Sequence, residues 1–268
     1  MTQVATSPNQ LLSALQASLT VAHDGTLTVR DAARLRTEGA AIIAWSAAFS
    51  TDEATVKSAQ WLARSAAAAS GIYSASTAPL YAARAKGAYE GLSVPAINLR
   101  AQVFDMARTA LECAARLDGA ALIFELARSE QTYTFQRPVD YATSIFAAAI
   151  AAGWHGPLFI QGDHYQFVAK KYAADPDAVT AEIARACHLA VEAGYRNIDI
   201  DASTLVDLSH ADVSEQQRVN VERSAEAAAL IRAIEPRGVT ISIGGEIGEV
   251  GTNNSTEEEL TAYLDGFE

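Results

Sequence analysis

The sequence has 268 residues, of which 50% are hydrophobic and 19% are charged, and its formal net charge is −12. This length suffices for one large domain, or for one domain with an extension. The acidic balance argues against nucleic-acid binding, because that affinity depends on lysine and arginine neutralising phosphates.

The first 92 residues are predicted to form a helical N-terminal region. Segments such as 28–38 and 52–69 are rich in alanine, arginine, leucine and glutamate, which favour helices. The alternation of apolar and polar residues that is typical of strands is not evident here.

From residue 94 onwards, strands alternate with helices through a second predicted domain, residues 93–268. Strands are predicted at 94–100, 120–126, 157–163, 197–203 and 239–247, and helices at 102–116, 139–152, 176–193, 215–235 and from 256. Such alternation is typical of parallel strands joined by right-handed crossovers. About five βα units leave two possibilities, which are an open doubly wound sheet and an incomplete (β/α)8 barrel.

Polar residues near the ends of the strands favour the barrel. In the fourth strand, Asp199 and Asp201 share one face and Ile198 and Ile200 the other, since successive strand side chains point to opposite sides. Central strands of open parallel sheets are normally continuous apolar runs. Barrel enzymes collect their catalytic groups from the carboxyl ends of several strands. We therefore predict an α/β protein of the (β/α)8 TIM-barrel family, incomplete, with a helical N-terminal extension.

The same pattern predicts a functional site at the carboxyl ends of the strands. Its candidate residues are Asn98, Arg100, Glu125, Asp163, His164, Asp201 and Glu246. The adjacent Asp163 and His164 follow an apolar strand and Gly162, where an acid and an imidazole have no packing role. Two alternatives stay open: Glu125 pairs with Arg100 or Arg128, and Asp201 caps a turn through Ser203 or Thr204.

Three segments carry a resemblance to a known family. Residues 159–164, Phe-Ile-Gln-Gly-Asp-His, resemble the Asp-His motif that ends a barrel strand in class II ketose-bisphosphate aldolases. Residues 197–203 are similar to the Ile-Asp-x-Ser motif of the next strand, and residues 244–251 to the Glu-Leu/Ile-Gly segment after it. The segments occur in the same order as in the family, and they resemble most the tagatose-bisphosphate aldolase branch.

The resemblance implies a zinc-dependent lyase that cleaves tagatose or fructose 1,6-bisphosphate to dihydroxyacetone phosphate and glyceraldehyde 3-phosphate through an enediolate. It implies His164 as a zinc ligand, Asp163 as the general acid and base, and Glu246 as a second, catalytic ligand. Asp201 would orient the other groups. The residues then predicted to bind the substrate are Asn98, Arg100, Glu125 and Ser203.

The chain departs from the family's pattern in its histidines. The family takes two further metal ligands from later His-Gly segments, whereas no histidine follows His210 in this sequence. The glycine-rich phosphate loops of the last strands are also missing. Because a catalytic zinc usually has three protein ligands, we expect a chain truncated at its carboxyl end, with weak metal binding and little activity alone.

Two alternative functions share these motifs. A non-catalytic subunit that stabilises a tagatose-bisphosphate aldolase would lack the later ligands, and a ketose-phosphate 4-epimerase would recombine the cleaved products on the other carbonyl face. The expected partners are a phosphorylated ketose and either a second copy of the chain or an aldolase subunit, without nucleic acid or membrane. Unpaired Cys113 and Cys187, and an N-terminus without a secretory pattern, predict a cytoplasmic protein.

Overall fold

The computed structural model describes residues 3–91, 93–119, 121–248 and 254–267. The chain divides into two compact units. The first consists of Met1–Ala75, Gly91–Leu126 and Glu130–Ile160, and the second of Ser76–Glu90, Ala127–Ser129 and Gln161–Glu268. These units cut across the predicted division between residues 92 and 93, because N-terminal helices pack in the same unit as helices of the predicted barrel region.

The N-terminal part of the chain contains short strands as well as helices. In chain order its elements are α1 (Pro8–Leu15), β1 (Leu19–Val21), β2 (Leu27–Val29), α2 (Ala32–Arg34), a π-helical turn (Leu35–Gly39), α3 (Ala40–Phe49), α4 (Glu53–Ala69), β3 (Ile72–Ser74) and α5 (Ala78–Ala85). β1 and β2 form an antiparallel hairpin whose turn contains Gly25 at a φ of +84°. The prediction of a helical N-terminal region did not include these strands, since three residues are too few to show alternation.

The rest of the described chain confirms the predicted alternation of strands and helices. Its elements are β4 (Ala96–Asn98), α6 (Val103–Arg116), β5 (Ile123–Ala127), α7 (Arg128–Tyr133), α8 (Pro138–Ala152), β6 (Gly156–Gln166), α9 (Ala169–Ala174), α10 (Pro176–Ala193), β7 (Asn197–Asp201), a 3-10 turn (Ser203–Leu205), α11 (Val213–Ile234), β8 (Ser242–Gly245) and α12 (Glu257–Phe267). Ala120 of the second predicted strand, and residues 249–251 of the predicted Glu-Ile-Gly segment, lie outside the described residues.

One sheet contains the strands in the order β4-β5-β6-β7-β8. The pairs β4–β5, β6–β7 and β7–β8 are parallel, and β3 adds in parallel to the start of β6. The structure therefore shows an α/β fold with a parallel sheet and flanking helices. The predicted TIM barrel is a finer statement, which this sheet does not show. Among the described helices, none has both the length and the apolar character needed to cross a bilayer.

Helix α8 is the centre of the first unit. It packs against α3, α4 and α6, and its side chains Ile145, Phe146 and Ile150 are buried. Burying each of these side chains contributes roughly 1.5–3 kcal/mol. A helix that is apolar around most of its circumference needs partners on several sides, which explains why the N-terminal helices α3 and α4 belong to this unit.

Helix α10 of the second unit follows the prediction at both ends. The side chain of Asp175 accepts a hydrogen bond from the backbone N of Ala178 at 3.0 Å, and Pro176 occupies the first turn. Gly194 ends the helix at a φ of +101°. The aspartate, the proline and the glycine are therefore signals from which both ends of this helix can be predicted.

Replacing Asp175 with alanine is expected to lower the free energy of unfolding by about 1 kcal/mol, because one N-terminal amide loses its side-chain acceptor. Urea denaturation measures the change. Asp177→Ala is the matched control, since Asp177 is exposed in the same first turn. Equal losses in the two variants would show that helix electrostatics, and not the cap, accounts for the effect.

Two patterns in the sequence, Ser214 with Gln217 and Ser255 with Glu258, predict capping boxes for the last two helices, and both caps are displaced in the structure. Helix α11 is capped by Asp212, whose carboxylate accepts from the backbone N of Glu215 at 3.1 Å, and not by Ser214 with Gln217. Before α12, the box forms between Thr256 and Glu259, one residue after the predicted pair. A cap must stand immediately before the first helical turn, so an error of one or two residues in the helix start moves the cap with it.

Candidate functional site

A bulge in β6 carries Asp163 and His164. The pairing with β7 runs from Gly162 opposite Ile198 to Tyr165 opposite Ile200. Two residues of β6 therefore stand opposite one residue of β7, which is the definition of a bulge and a common way to redirect a side chain. His164 has a φ of +55°, a conformation that is uncommon outside glycine.

His164 meets two carboxylates from the neighbouring strands. Its Nδ1 lies 3.1 Å from Oε1 of Glu246 and 3.3 Å from Oδ2 of Asp201. Asp201 is the last residue of β7, and Glu246 directly follows β8. The side chain of Asp201 is 0% exposed, whereas those of His164 and Glu246 are 39% and 30% exposed. The cluster is thus anchored on a buried acid and open to solvent on its other side.

The side chain of Asp201 is held through both oxygens. Oδ1 accepts from the backbone N of Ser203 at 3.0 Å and from its Oγ at 2.6 Å. Oδ2 accepts from Nε2 of Gln166 at 2.7 Å, and the same Nε2 lies 2.9 Å from Nε2 of His164. Nε2 of Gln166 therefore links the imidazole of His164 to the buried carboxylate of Asp201.

Four carboxylates influence the imidazole and one another. Burial alone would lower the pKa of His164, but the hydrogen bond to Glu246 and the negative charges of Asp201, Glu246 and Asp163 together raise it above 6.5. Burial, reinforced by the charges of Glu246, Asp163 and Asp201, raises the pKa of Asp199 to about 7, although His164 acts in the opposite direction. The site therefore favours positive charge.

The donor atoms of His164, Asp201 and Glu246 fit a divalent metal ion. All of them lie within 4.8 Å of one another. One imidazole nitrogen with two carboxylate oxygens is a set that suits Zn²⁺ or Mn²⁺. Ligands bound at the usual zinc distances in a tetrahedron stand about 3.3 Å apart, and the two separations from Nδ1 of His164 are close to this value.

The predicted site residues fall into two groups, one in each compact unit. The residues in the second unit, at or just beyond the ends of β6, β7 and β8, are Asp163, His164, Asp201, Ser203 and Glu246. Those in the first unit, on β4, just after it, and on β5, are Asn98, Arg100 and Glu125. Within the second unit, Ser203 donates to Asp201, as the turn-capping alternative for Asp201 predicts.

In the first unit, a buried acid that the sequence analysis did not select joins Asn98 and Arg100. Nδ2 of Asn98 donates to Oε2 of Glu130 at 2.7 Å, and Arg100 forms an ion pair with the same carboxylate. The two arginines considered as partners of Glu125 form other ion pairs, Arg100 with Glu130 and Arg128 with Glu182. Substrate binding by Asn98, Arg100 and Glu125 stays a prediction.

Three residues of the second unit also escaped the sequence analysis. Gln166 lies in β6 beyond its predicted end at Asp163, so the strand boundary concealed it. Gln217 and Asn220 lie on the buried face of α11. Their spacing of three residues was a signal available in the sequence, because residues three apart on a helix are neighbours.

Comparisons with known proteins show no family for this chain. No protein-family model matches the sequence, and no curated protein matches it. A solved structure from Sinorhizobium meliloti 1021, titled as a probable tagatose 6 phosphate kinase, is 18% identical with a TM-score of 0.45. The match covers 66% of this chain and 44% of that one, so the chain spans less than half the length of the matched protein.

The comparisons contradict the predicted class II aldolase activity: the solved structure described above is titled as a kinase, and neither a family model nor a curated protein supports an aldolase. We therefore do not retain that activity or the two alternatives derived from the same motifs. The donor set supplies a physical reason. The resemblance implies three metal-binding histidines, whereas the described cluster has one imidazole and two carboxylates.

Proposed function

We propose that the second unit carries a site for one divalent metal ion, bound by His164, Asp201 and Glu246, that serves acid–base catalysis on a small polar substrate. The observation that carries the proposal is the convergence of three donor groups from the ends of β6, β7 and β8, within 4.8 Å of one another. In α/β proteins, the carboxyl ends of parallel strands are where ligands bind.

Different residues of the site would bind the metal ion and transfer the proton. A bound dication would polarise a coordinated oxygen atom and lower the pKa of bound water. Asp201 is the fixed ligand, since its two oxygens are held by Ser203 and Gln166. Asp163 is half-buried beside His164 in the bulge, and we propose it as the group that transfers a proton to or from the substrate.

Titration calorimetry tests the metal site directly. Protein freed of metal by a chelator is titrated with ZnCl₂ and with MgCl₂. We expect one zinc ion per chain, bound more tightly than magnesium, because an imidazole ligand favours zinc. A cluster that serves only as a hydrogen-bonded ion pair would bind neither ion, and that outcome would reject the proposal.

The His164→Ala variant is expected to weaken zinc binding by more than the roughly 10–100-fold that is typical of changes outside the ligand shell. His188→Ala is the matched control, since His188 is an exposed histidine on α10 of the same unit. Equal affinity in the wild type and the His164 variant would place the ion elsewhere.

We also propose that the parallel sheet belongs to a (β/α) barrel. The strands from β4 to β8 follow one another in chain order without reversal. A doubly wound sheet reverses its strand order at the point where ligands bind, whereas a barrel does not. An experimental structure in which β4 to β8 form an open sheet, with another strand paired to the far side of β4, would contradict this proposal.

A further inference from the structure

Glu246 stands just outside the strand ladder. The pairing of β7 with β8 ends at Ile200 opposite Gly245, so the backbone of Glu246 lies beyond the pairs that fix β8. Two side chains of α11 bind the backbone at this point. Nδ2 of Asn220 donates to the carbonyl oxygen of Glu246 at 2.8 Å, and Nε2 of Gln217 donates to that of Ile247 at 2.8 Å.

The two amides are buried and hydrogen-bonded. Gln217 is 1% exposed and Asn220 is 0% exposed. The second amide hydrogen of Asn220 is directed at Oε1 of Gln217, 3.0 Å away, and its Oδ1 accepts from Ser224. Burying a primary amide is unfavourable unless its hydrogen bonds are satisfied. Here that satisfaction requires the segment after β8 to lie against α11.

The network continues to the last described helix. Tyr263 of α12 is hydrogen-bonded to Ser224. Gly245, the residue before Glu246, lies so close to the Tyr263 hydroxyl that a side chain there would collide with it. Polar groups of α11 thus bind the backbone after the Glu246 Cα atom, and Tyr263 of α12 packs against the residue before it. The buried polar residues of α11 contribute less apolar burial than aliphatic residues would at the same positions. We therefore look for a role other than core packing.

We propose that Gln217 and Asn220 are positioning residues, which hold the carboxylate of Glu246 within reach of His164 as a metal ligand. This inference rests on the proposed metal site. Neither amide contacts a donor atom of that site in the described structure; each acts through the backbone of residues 246 and 247. Such outer contacts orient ligands and tune affinity.

A double-mutant cycle tests the inference. Zinc affinity is measured for the wild type, Asn220→Ala, Glu246→Gln and the double variant, with Ile231→Ala as a control for destabilisation of α11 away from the loop. We expect Asn220→Ala to weaken zinc binding about 10–100-fold in the wild-type background, and less than about 2-fold in the Glu246→Gln background. Equal losses in both backgrounds would overturn the inference, because Asn220 would then not act through Glu246.

A second measurement needs no metal. Cleavage after Glu246 by a glutamate-specific protease is compared among metal-free wild type, Asn220→Ala, Gln217→Met and Ile231→Ala. Faster cleavage in the two amide variants than in Ile231→Ala supports the positioning role even if the wild type binds no zinc, an outcome that rejects the proposed function alone. Equal cleavage rates in the amide variants and the control would reject the positioning role. Gln217→Met, which keeps the side-chain length, carries the test if Asn220→Ala does not fold.

Discussion

Replacing Asp201 with alanine is expected to lower the free energy of unfolding by about 3–5 kcal/mol, because several hydrogen bonds to a buried carboxylate are lost together. Asp201 is completely buried and accepts hydrogen bonds from Ser203 and Gln166. Alanine would leave these donors without their acceptor at a completely buried position. Each hydrogen bond to a charged group contributes roughly 1.5–3 kcal/mol, so the loss is large even without strict additivity.

Urea denaturation of metal-free protein at neutral pH measures this loss. The sequence provides a matched control in Asp207→Ala, because Asp207 forms the same kind of turn, accepting from the backbone N of Ser209 at 3.0 Å, but is exposed. We expect a much smaller loss for Asp207→Ala. Similar losses in the two variants would mean that the turn alone matters and that the buried network around Asp201 is energetically unimportant.

Replacing Asp199 with asparagine is expected to make the metal-free protein more stable at pH 8 and less sensitive to pH. The folded protein raises the pKa of Asp199 from 3.8 to about 7, first through burial and then through the charges of Glu246, Asp163 and Asp201. Between these values the unfolded chain releases the proton while the folded chain keeps it. Stability therefore falls as pH rises through this window, by up to about 4 kcal/mol in total.

The comparison is made between unfolding free energies of wild type and Asp199→Asn from pH 5 to pH 8, with a chelator present. Asparagine cannot ionise, so the difference between the variants isolates the contribution of this carboxyl group. Asp177→Asn, at an exposed position on α10, controls for the general effect of removing one negative charge. Parallel curves for wild type and Asp199→Asn would show that Asp199 ionises normally in the folded protein.

Much of the fold of the second unit could be predicted from local signals. The range of α10 was predicted to the residue, because Asp175, Pro176 and Gly194 each have one preferred role at a helix end. β8 was predicted several residues too long, since Val239 has the apolar character of a strand without its pairing. Patterns along the chain specify which element forms, but hydrogen bonds to neighbouring strands decide where it stops.

The candidate site was only partly predictable. The alternation of side chains along β7 placed Asp199 and Asp201 on the face opposite the two isoleucines, but it did not show that Asp201 is as buried as they are. Glu130, in contrast, lies on a short helix with no pattern to single it out, and only the tertiary structure brings Asn98 and Arg100 to it. The motifs located acidic strand ends that do converge, whereas the reaction inferred from them was wrong, because a site's chemistry depends on its complete donor set.

Because of the bulge in β6, the candidate site can change in evolution while the sheet stays the same. Two residues of β6, Asp163 and His164, stand opposite the single residue Asp199 of β7. An in-frame deletion of a single codon there would restore regular pairing with β7 while removing either the acid or the imidazole from the cluster. Chains with this same sheet can therefore gain or lose the chemistry in one genetic step. The length of β6, counted against β7, is a better guide to shared activity among such chains than similarity of the sheet.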